Sequence, residues 1–499
     1  MALIALLLLL AAAMLAPGLV VGPSLDAAVF SHIGGRLLEG VAPYVGTWDH
    51  KPPGIYLASA AAHAVLGWLG PFPANWVLSL ASSTGIGAAV ATVLLRLEVG
   101  GWPRSLAAVG ATILASHYLL ALGGGLTEPL ATLLVAWALV LAGQPTTGRL
   151  LAWIGILVGV SALLSFQLLP GGFVVLALAL VQSPAEARRS GAGALTLGFA
   201  APLAVAAIWL SAIGALPAAL DAIITYPVAY RASSGDYGAA LGAPVAAWTV
   251  LVSVFLVAPA LFGATSAARA HNPSRGVAVA SVLWIGASLV LFVLQGRFYA
   301  HYAIPLAVPL GVLSGLGLDG MRESLSPGRA RTLILVFVLT ATLLVSVVAG
   351  VISGAMQIAP VADAHARIEA VAHRLRYLPP GSMLVWGNQP ALYDLADRAP
   401  ATVYSYLYPL TTPGYSTPAM IGAVARAILL HPPAVIVDAG STAPGQPGFL
   451  RLLIDRPVAT DGRNLDLLES LRVFIAAQYH LAATVAGWPI YVLREVSGP

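Results

Sequence analysis

Three segments of this 499-residue chain carry side chains whose types and spacing suit chemistry. The first, residues 24–56, reads SLDAAVFSHIGGRLLEGVAPYVGTWDHKPPGIY and holds Asp26, Arg36, Glu39, Tyr44, Trp48, Asp49, His50, Lys51 and Tyr56. The second places Glu128 in Gly125-Leu126-Thr127-Glu128-Pro129, and the third places Arg297, His301 and Tyr302 within residues 295–302. Acids and bases collected in this way suit one type of reaction. A lysine and an arginine can hold a lipid-linked phosphate and stabilise it as a leaving group. A nearby carboxylate can take the proton from an attacking hydroxyl.

Each of these side chains also has a plain structural role open to it. Asp26 can cap a helix over 27–38, and Glu128, just before Pro129, can be the first-turn acid of the next helix. His50 and His301 have no fixed metal-ligand spacing, so as a metal signal they are weak. Arg297 can anchor at a membrane interface, and the Tyr and Trp residues can form an aromatic belt. Lys51 stands apart. Of the 24 Lys and Arg residues it is the only lysine, and it sits in the polar cluster immediately before Pro52-Pro53. An ammonium is a compact, strongly hydrated point charge, not a planar fork, so the exception has chemical content.

The elements that position these residues follow from composition. Hydrophobic residues make up 59% of the chain and charged residues 9%, against about 25% charged in a soluble domain. A water-soluble globular protein is excluded, and a polytopic membrane protein is expected. With no cysteine, disulfides, thiol catalysis and Cys-ligated metals are excluded as well. The net charge is only +4, and its basic excess lies in short loops, which is a topology signal and no nucleic-acid footprint. Residues 1–355 hold 24 charged side chains and residues 356–499 hold 20. That contrast predicts a membrane domain, 1–355, followed by a smaller water-exposed domain, 356–499.

Residues 1–21 are apolar and lack a charged leading region, so they read as a retained first transmembrane helix and not as a signal peptide. Further apolar runs near 75–95, 105–122, 129–143, 150–167, 170–182, 193–213, 242–263, 276–294, 302–318 and 332–353 bring the expected spans to about eleven. Arg96, Arg104, Arg149, Arg188, Arg189, Arg269, Arg275, Arg322, Arg329 and Arg331 then fall in alternate loops, as cytoplasmic loops require. The N-terminus is therefore expected inside, with a long first external loop (22–74) and the C-terminal domain outside. Residues 53–69 read as a helix lying in the outer interface, because a span there would turn the arginines outward. In the C-terminal part, 383–386, 401–404 and 434–437 read as strands, and 364–377, 417–430 and 465–478 as helices. The fold class is a mostly α polytopic bundle with a smaller α/β extracytoplasmic domain. Residues 315–320 match GxGxxG formally, but no strand precedes them and they are set aside. Gly155, Gly159, Gly311 and Gly315 read as helix-packing positions.

At these residues the chain resembles a known family. An Asp after the first helix is followed by Gly40-xx-Pro43-Tyr44, by Trp48-Asp49-His50-Lys51-Pro52-Pro53-Gly54-xx-Tyr56, by Thr127-Glu128-Pro129 and by Arg297-xxx-His301-Tyr302-xx-Pro305. The pattern is similar to the GT-C superfamily of bacterial membrane glycosyltransferases, and within it to the protein O-mannosyltransferases and the lipid A aminoarabinose transferase (glycosyltransferase family 39-like). The resemblance covers the membrane domain. It implies an inverting transferase at the cytoplasmic membrane, acting on the outer face with a polyprenyl-phosphate-linked sugar as co-substrate and no required metal. The acceptor is a protein, a lipid or a polysaccharide. By the same resemblance Asp26 and Glu128 are the catalytic residues, Asp26 as the general base and Glu128 as the acid of the second external loop. Lys51 and Arg297 contact the donor phosphate, and Tyr44, Asp49, His50, Tyr56, His301 and Tyr302 are substrate-contact candidates. The chain departs from the pattern where Ala27 follows Asp26, in place of the mannosyltransferase Asp-Glu. It departs again where His50 precedes Lys51, in place of the aminoarabinose transferase Glu. Two other classes remain open: a transporter or flippase for a lipid-linked sugar, and a non-catalytic membrane sensor. A transporter would place polar groups near the bilayer midplane of repeated halves; here mid-helix positions are nearly free of charge and no repeat is seen.

Overall fold

The computed structural model describes residues 1–144, 147–232, 257–269, 274–296, 299–324, 348, 362–440 and 462–494. Arg297, all of the expected span at 332–353 but residue 348, most of that at 242–263 and the 355/356 domain boundary lie outside these residues.

Five described helices are long and apolar enough to cross a membrane: Ala2–Val21, Pro71–Arg96, Arg188–Ala212, Ser274–Gln295 and Ala300–Arg322. Shorter apolar helices cover Gly54–Leu69, Thr127–Ala142, Gly148–Leu164 and Phe166–Gln182. Small residues bring the bundle together where the sequence places them. A side chain at Gly155 would meet the backbone of Leu195, and one at Gly159 the backbone of Phe199. These two positions let the Gly148–Leu164 helix ride against Arg188–Ala212. Residues 315–320 lie inside the Ala307–Ser324 helix, which removes any phosphate-binding strand–turn–helix.

The first helix stops at Gly22, whose φ of +78° no other residue adopts cheaply. The chain then enters a helix over Leu25–Leu38. Its cap is Ser24, whose hydroxyl accepts from the Ala27 N–H at 3.3 Å. The capping role open to Asp26 is thus taken by Ser24, and Asp26 sits in the first turn. Pro52 and Pro53 disfavour the α region for the residues before them, so the next helix begins only after Pro53, its N-cap residue. That helix, Gly54–Leu66, has 13 residues and about 20 Å of rise, short of a bilayer's roughly 30 Å. Gly123, Gly124 and Gly125, with φ of +81°, +103° and +84°, make the turn that delivers Glu128 to the first turn of Thr127–Ala142.

Residues 362–494 contain a four-stranded sheet: β1 (Met383–Trp386), β2 (Val435–Asp438), β3 (Tyr479–Val485) and β4 (Trp488–Leu493), in the order β1-β2-β4-β3. β1 and β2 pair in parallel, with Met383 opposite Val435; β4 runs antiparallel to both β2 and β3. Helices at 362–375, Pro418–Leu430 and Gly462–Gln478 accompany it. The strand expected at 401–404 does not form. Beyond a bridge from Pro400 to Met383, this stretch leaves the sheet, and its Val403 carbonyl accepts the Trp48 N–H at 2.7 Å. The hairpin β3–β4 was not expected; Ala486 and Gly487, both at positive φ, close it as a two-residue turn of the kind that matches strand twist.

Several contacts dock this part onto the first loop, among them those of His32 and Trp48. Asp394, on the Ala391–Ala396 helix, accepts from His32 Nδ1 at 2.6 Å with the Tyr393 ring beside the imidazole. Trp48 packs among Tyr226, Tyr404, Tyr406 and Tyr415, with ring centroids 4.9–6.1 Å apart. Such pairs contribute about 0.5–1.5 kcal/mol each beyond area burial.

Candidate active site

The first loop is organised around the Lys51 backbone. The Tyr44 hydroxyl donates to the Lys51 carbonyl at 2.8 Å, and the Tyr56 hydroxyl shares its proton between that carbonyl (3.1 Å) and Asp49 Oδ2 (2.8 Å). Tyr44 holds a positive φ of +68°, a conformation rare for a bulky residue, with its N–H on the Thr47 carbonyl at 2.6 Å. Asp49 is 2% exposed. Its other oxygen, Oδ1, accepts from the Tyr406 hydroxyl at 2.5 Å and lies 3.1 Å from His50 Nδ1. Burial pushes the Asp49 carboxyl up, but the neighbouring His50 imidazole and the hydrogen bonds from Tyr406 and Tyr56 outweigh it and bring it down to about 2. Asp49 therefore stays an anion and ties the loop to the C-terminal segment. Burial together with the neighbouring Asp49 charge raises the hydroxyls of Tyr44 and Tyr406 well above their usual value, which keeps them neutral donors.

With its backbone fixed, Lys51 projects into a cavity of about 670 Å³. Among the described residues its ammonium makes no hydrogen bond or ion pair. Burial alone would lower it; the nearby carboxylates of Glu128, Asp26 and Asp49 override that and raise it. Asp26, Asp49, His50, Lys51, His301 and Tyr302 line this one cavity. Six expected residues, distant in sequence, thus meet at one place. Tyr44 and Tyr56 do not line it; they stand behind the Lys51 loop. Glu128 is 1% exposed, also lies off the cavity wall, and leaves Oε1 buried without a hydrogen bond. It is a buried counter-charge to Lys51.

The cavity has an apolar flank as well. Val228, 68% exposed, and Leu294, 51% exposed, line it together with Ile223, Phe166 and Leu291. A ligand with a hydrocarbon chain could leave the cavity along these side chains. Sequence reasoning missed the aromatic lining, namely Tyr226, Tyr230, Tyr299, Tyr406 and Tyr408. The signal was present: Tyr226 and Tyr230 are four apart on a helix, and Tyr404, Tyr406 and Tyr408 alternate. Among the described residues no group of three or more His, Cys, Asp or Glu side chains could hold a metal ion.

No known protein-family profile matches the chain, and no curated protein does. Solved structures that share its fold include two of one protein. The crystal structure of ArnT from Cupriavidus metallidurans bound to undecaprenyl phosphate has a TM-score of 0.57 at 14% identity, covering 100% of this chain and 98% of that one. The same protein in the apo state has a TM-score of 0.55 at 14% identity, over 96% and 95%. At this identity the likeness shows the fold alone: the chain shares the overall architecture of these ArnT structures.

Proposed function

We propose that this chain is an inverting glycosyltransferase that moves a sugar from a polyprenyl-phosphate-linked donor to an acceptor hydroxyl at the outer face of the cytoplasmic membrane. The observation that carries the reading is the Lys51 ammonium. It is fixed through its own carbonyl by two tyrosines, it has no protein partner among the described residues, and it faces a cavity that also holds Asp26. Such a cation is complementary to a phosphate. The apolar flank gives a polyprenyl chain its path, and the similarly folded ArnT binds undecaprenyl phosphate.

In the reaction the acceptor oxygen attacks the anomeric carbon from the face opposite the phosphate, and the carbon–oxygen bond to the phosphate breaks with its electron pair. Lys51 stabilises the charge that develops on the departing phosphate, with Arg297 as a second cation. Asp26 takes the acceptor's proton; its carboxylate makes no hydrogen bond among the described residues, since Ser24 caps the helix. Glu128, off the wall, favours the charged form of Lys51. Donor and acceptor supply every atom of the step.

The test is binding followed by transfer. The purified full-length chain in nanodiscs binds undecaprenyl phosphate, and Lys51→Ala weakens that binding; with a radiolabelled undecaprenyl-phosphate sugar and membrane extract, label moves to an acceptor. A wild-type chain that ignores undecaprenyl phosphate would overturn the proposal.

A further inference from the structure

The cavity has two unlike walls. One is charged, made by Asp26 and Lys51. The other is aromatic. Tyr226 and Tyr230, on the Tyr226–Ala232 helix, stack with centroids 5.4 Å apart and planes 17° from parallel. Tyr408 continues the stack from Tyr230 at 6.5 Å and 29°, and Tyr406 meets Tyr408 edge-on at 5.8 Å and 83°. The rings are held in place: Tyr230 and Tyr299 join through their hydroxyls at 2.6 Å, and Thr412 donates to the Tyr226 hydroxyl at 3.4 Å. Tyr226 is fully buried, while Tyr408 remains 37% exposed and lines the cavity.

The two ends of a lipid phosphate have no need of such a wall. A phosphate is met by cations, and an isoprenoid chain by aliphatic surface such as Val228 and Leu294. Stacked phenols match a third chemistry. A monosaccharide presents a face of C–H groups that packs on an aromatic ring and a rim of hydroxyls that pair with phenol oxygens; tyrosine supplies both surfaces in one side chain. The volume, about 670 Å³, is within the range of sites that enclose a whole small molecule.

We infer that the Tyr226–Tyr230–Tyr408 wall is the saccharide subsite of the cavity, and that Tyr408, contributed by the C-terminal segment, makes the site prefer a sugar-bearing lipid phosphate over the bare one. The inference rests on the donor reading above and assigns the C-terminal segment a part in sugar recognition. Asp49 links the two halves of the site, because its carboxylate accepts from Tyr406 in the segment that also carries Tyr408.

The experiment compares affinities of the full-length chain in nanodiscs for bare undecaprenyl phosphate and for undecaprenyl phosphate carrying mannose, arabinose or N-acetylgalactosamine. Wild type is expected to bind at least one sugar-bearing lipid more tightly than the bare lipid. Tyr408→Leu, which keeps bulk and removes the ring, is expected to weaken that lipid about 5- to 10-fold and to leave the bare lipid within about twofold. Tyr408→Phe, which keeps the ring, retains most of the preference. If wild type prefers none of the three sugars, or if Tyr408→Leu weakens bare and sugar-bearing lipids equally or not at all, the subsite is overturned. Failure of wild type to bind even the bare lipid overturns the donor reading itself, so the two failures are distinguishable.

Discussion

Replacing Tyr406 by Phe removes one hydroxyl and leaves its packing on Trp48 in place. That hydroxyl donates to Asp49 Oδ1 at 2.5 Å, with Asp49 and Tyr406 2% and 3% exposed. Hydrogen bonds to a charged group contribute about 1.5–3 kcal/mol, and low exposure argues for the middle of that range, roughly 2 kcal/mol. Asp49 keeps Tyr56 on Oδ2 and His50 near Oδ1, so the fold survives. In SDS titration of the protein in mixed micelles, Tyr406→Phe is expected to lower unfolding free energy by about 2 kcal/mol. A double-mutant cycle with Asp49→Asn should show coupling above about 1 kcal/mol. The pH dependence has a definite sign. The Asp49 carboxyl is depressed from 3.8 to about 2 in the fold. Its contribution, roughly 2 kcal/mol, is therefore fully present above about pH 4 and is lost as pH falls toward 2. Because the lost hydrogen bond favoured the carboxylate, Tyr406→Phe should move acid unfolding to higher pH. Strictly additive variants with an unchanged acid midpoint would refute the role given to Asp49.

Three further outcomes are expected. Lys51→Ala should weaken undecaprenyl phosphate binding about 10- to 100-fold, and Lys51→Arg should restore part of the affinity while transfer stays impaired, because a planar fork replaces a point charge; wild-type affinity in Lys51→Ala would remove the phosphate contact. Burial lowers the Lys51 ammonium, but Glu128, Asp26 and Asp49 raise it above 10.5, so bare undecaprenyl phosphate should bind with flat affinity from pH 7.5 to about 9.5, and a midpoint near 9 would contradict this. Removing one partner of the His32–Asp394 pair should cost roughly 3 kcal/mol in His32→Leu, part of which Asp394→Leu should recover in the double variant; no recovery in SDS titration would count against a buried pair.

Much of the site was legible before any coordinates. Pro52-Pro53 keeps Lys51 out of the following helix, and the tyrosines at 44 and 56 donate to the carbonyl this leaves free. That local logic is written in a dozen consecutive residues. Asp26 and Glu128 could be placed at helix starts, but their division of labour could not be read. Ser24 and Asp26 both qualify as caps, and only the fold shows that Ser24 takes the role and leaves Asp26 on the wall. Likewise nothing local says that Glu128 lies behind Lys51. In the C-terminal segment the strand expected at 401–404 fails for a physical reason, while those at 383–386 and 434–437 form. Residues 401–404 have strand composition, yet composition does not say which backbone they pair with, and the partner, Trp48, is some 350 residues away. The tyrosines at 406 and 408 gained their place by that same long-range pairing.

The most direct measurement follows the anomeric carbon. The full-length chain in nanodiscs is supplied with a radiolabelled undecaprenyl-phosphate sugar of known anomeric configuration and an acceptor-containing membrane extract, and the product linkage is determined. The expected result is label transferred with inverted configuration by wild type, and none transferred by Asp26→Asn while its undecaprenyl phosphate affinity stays unchanged. Transfer with retained configuration, or an Asp26→Asn chain as active as wild type, would contradict the single displacement with Asp26 as base.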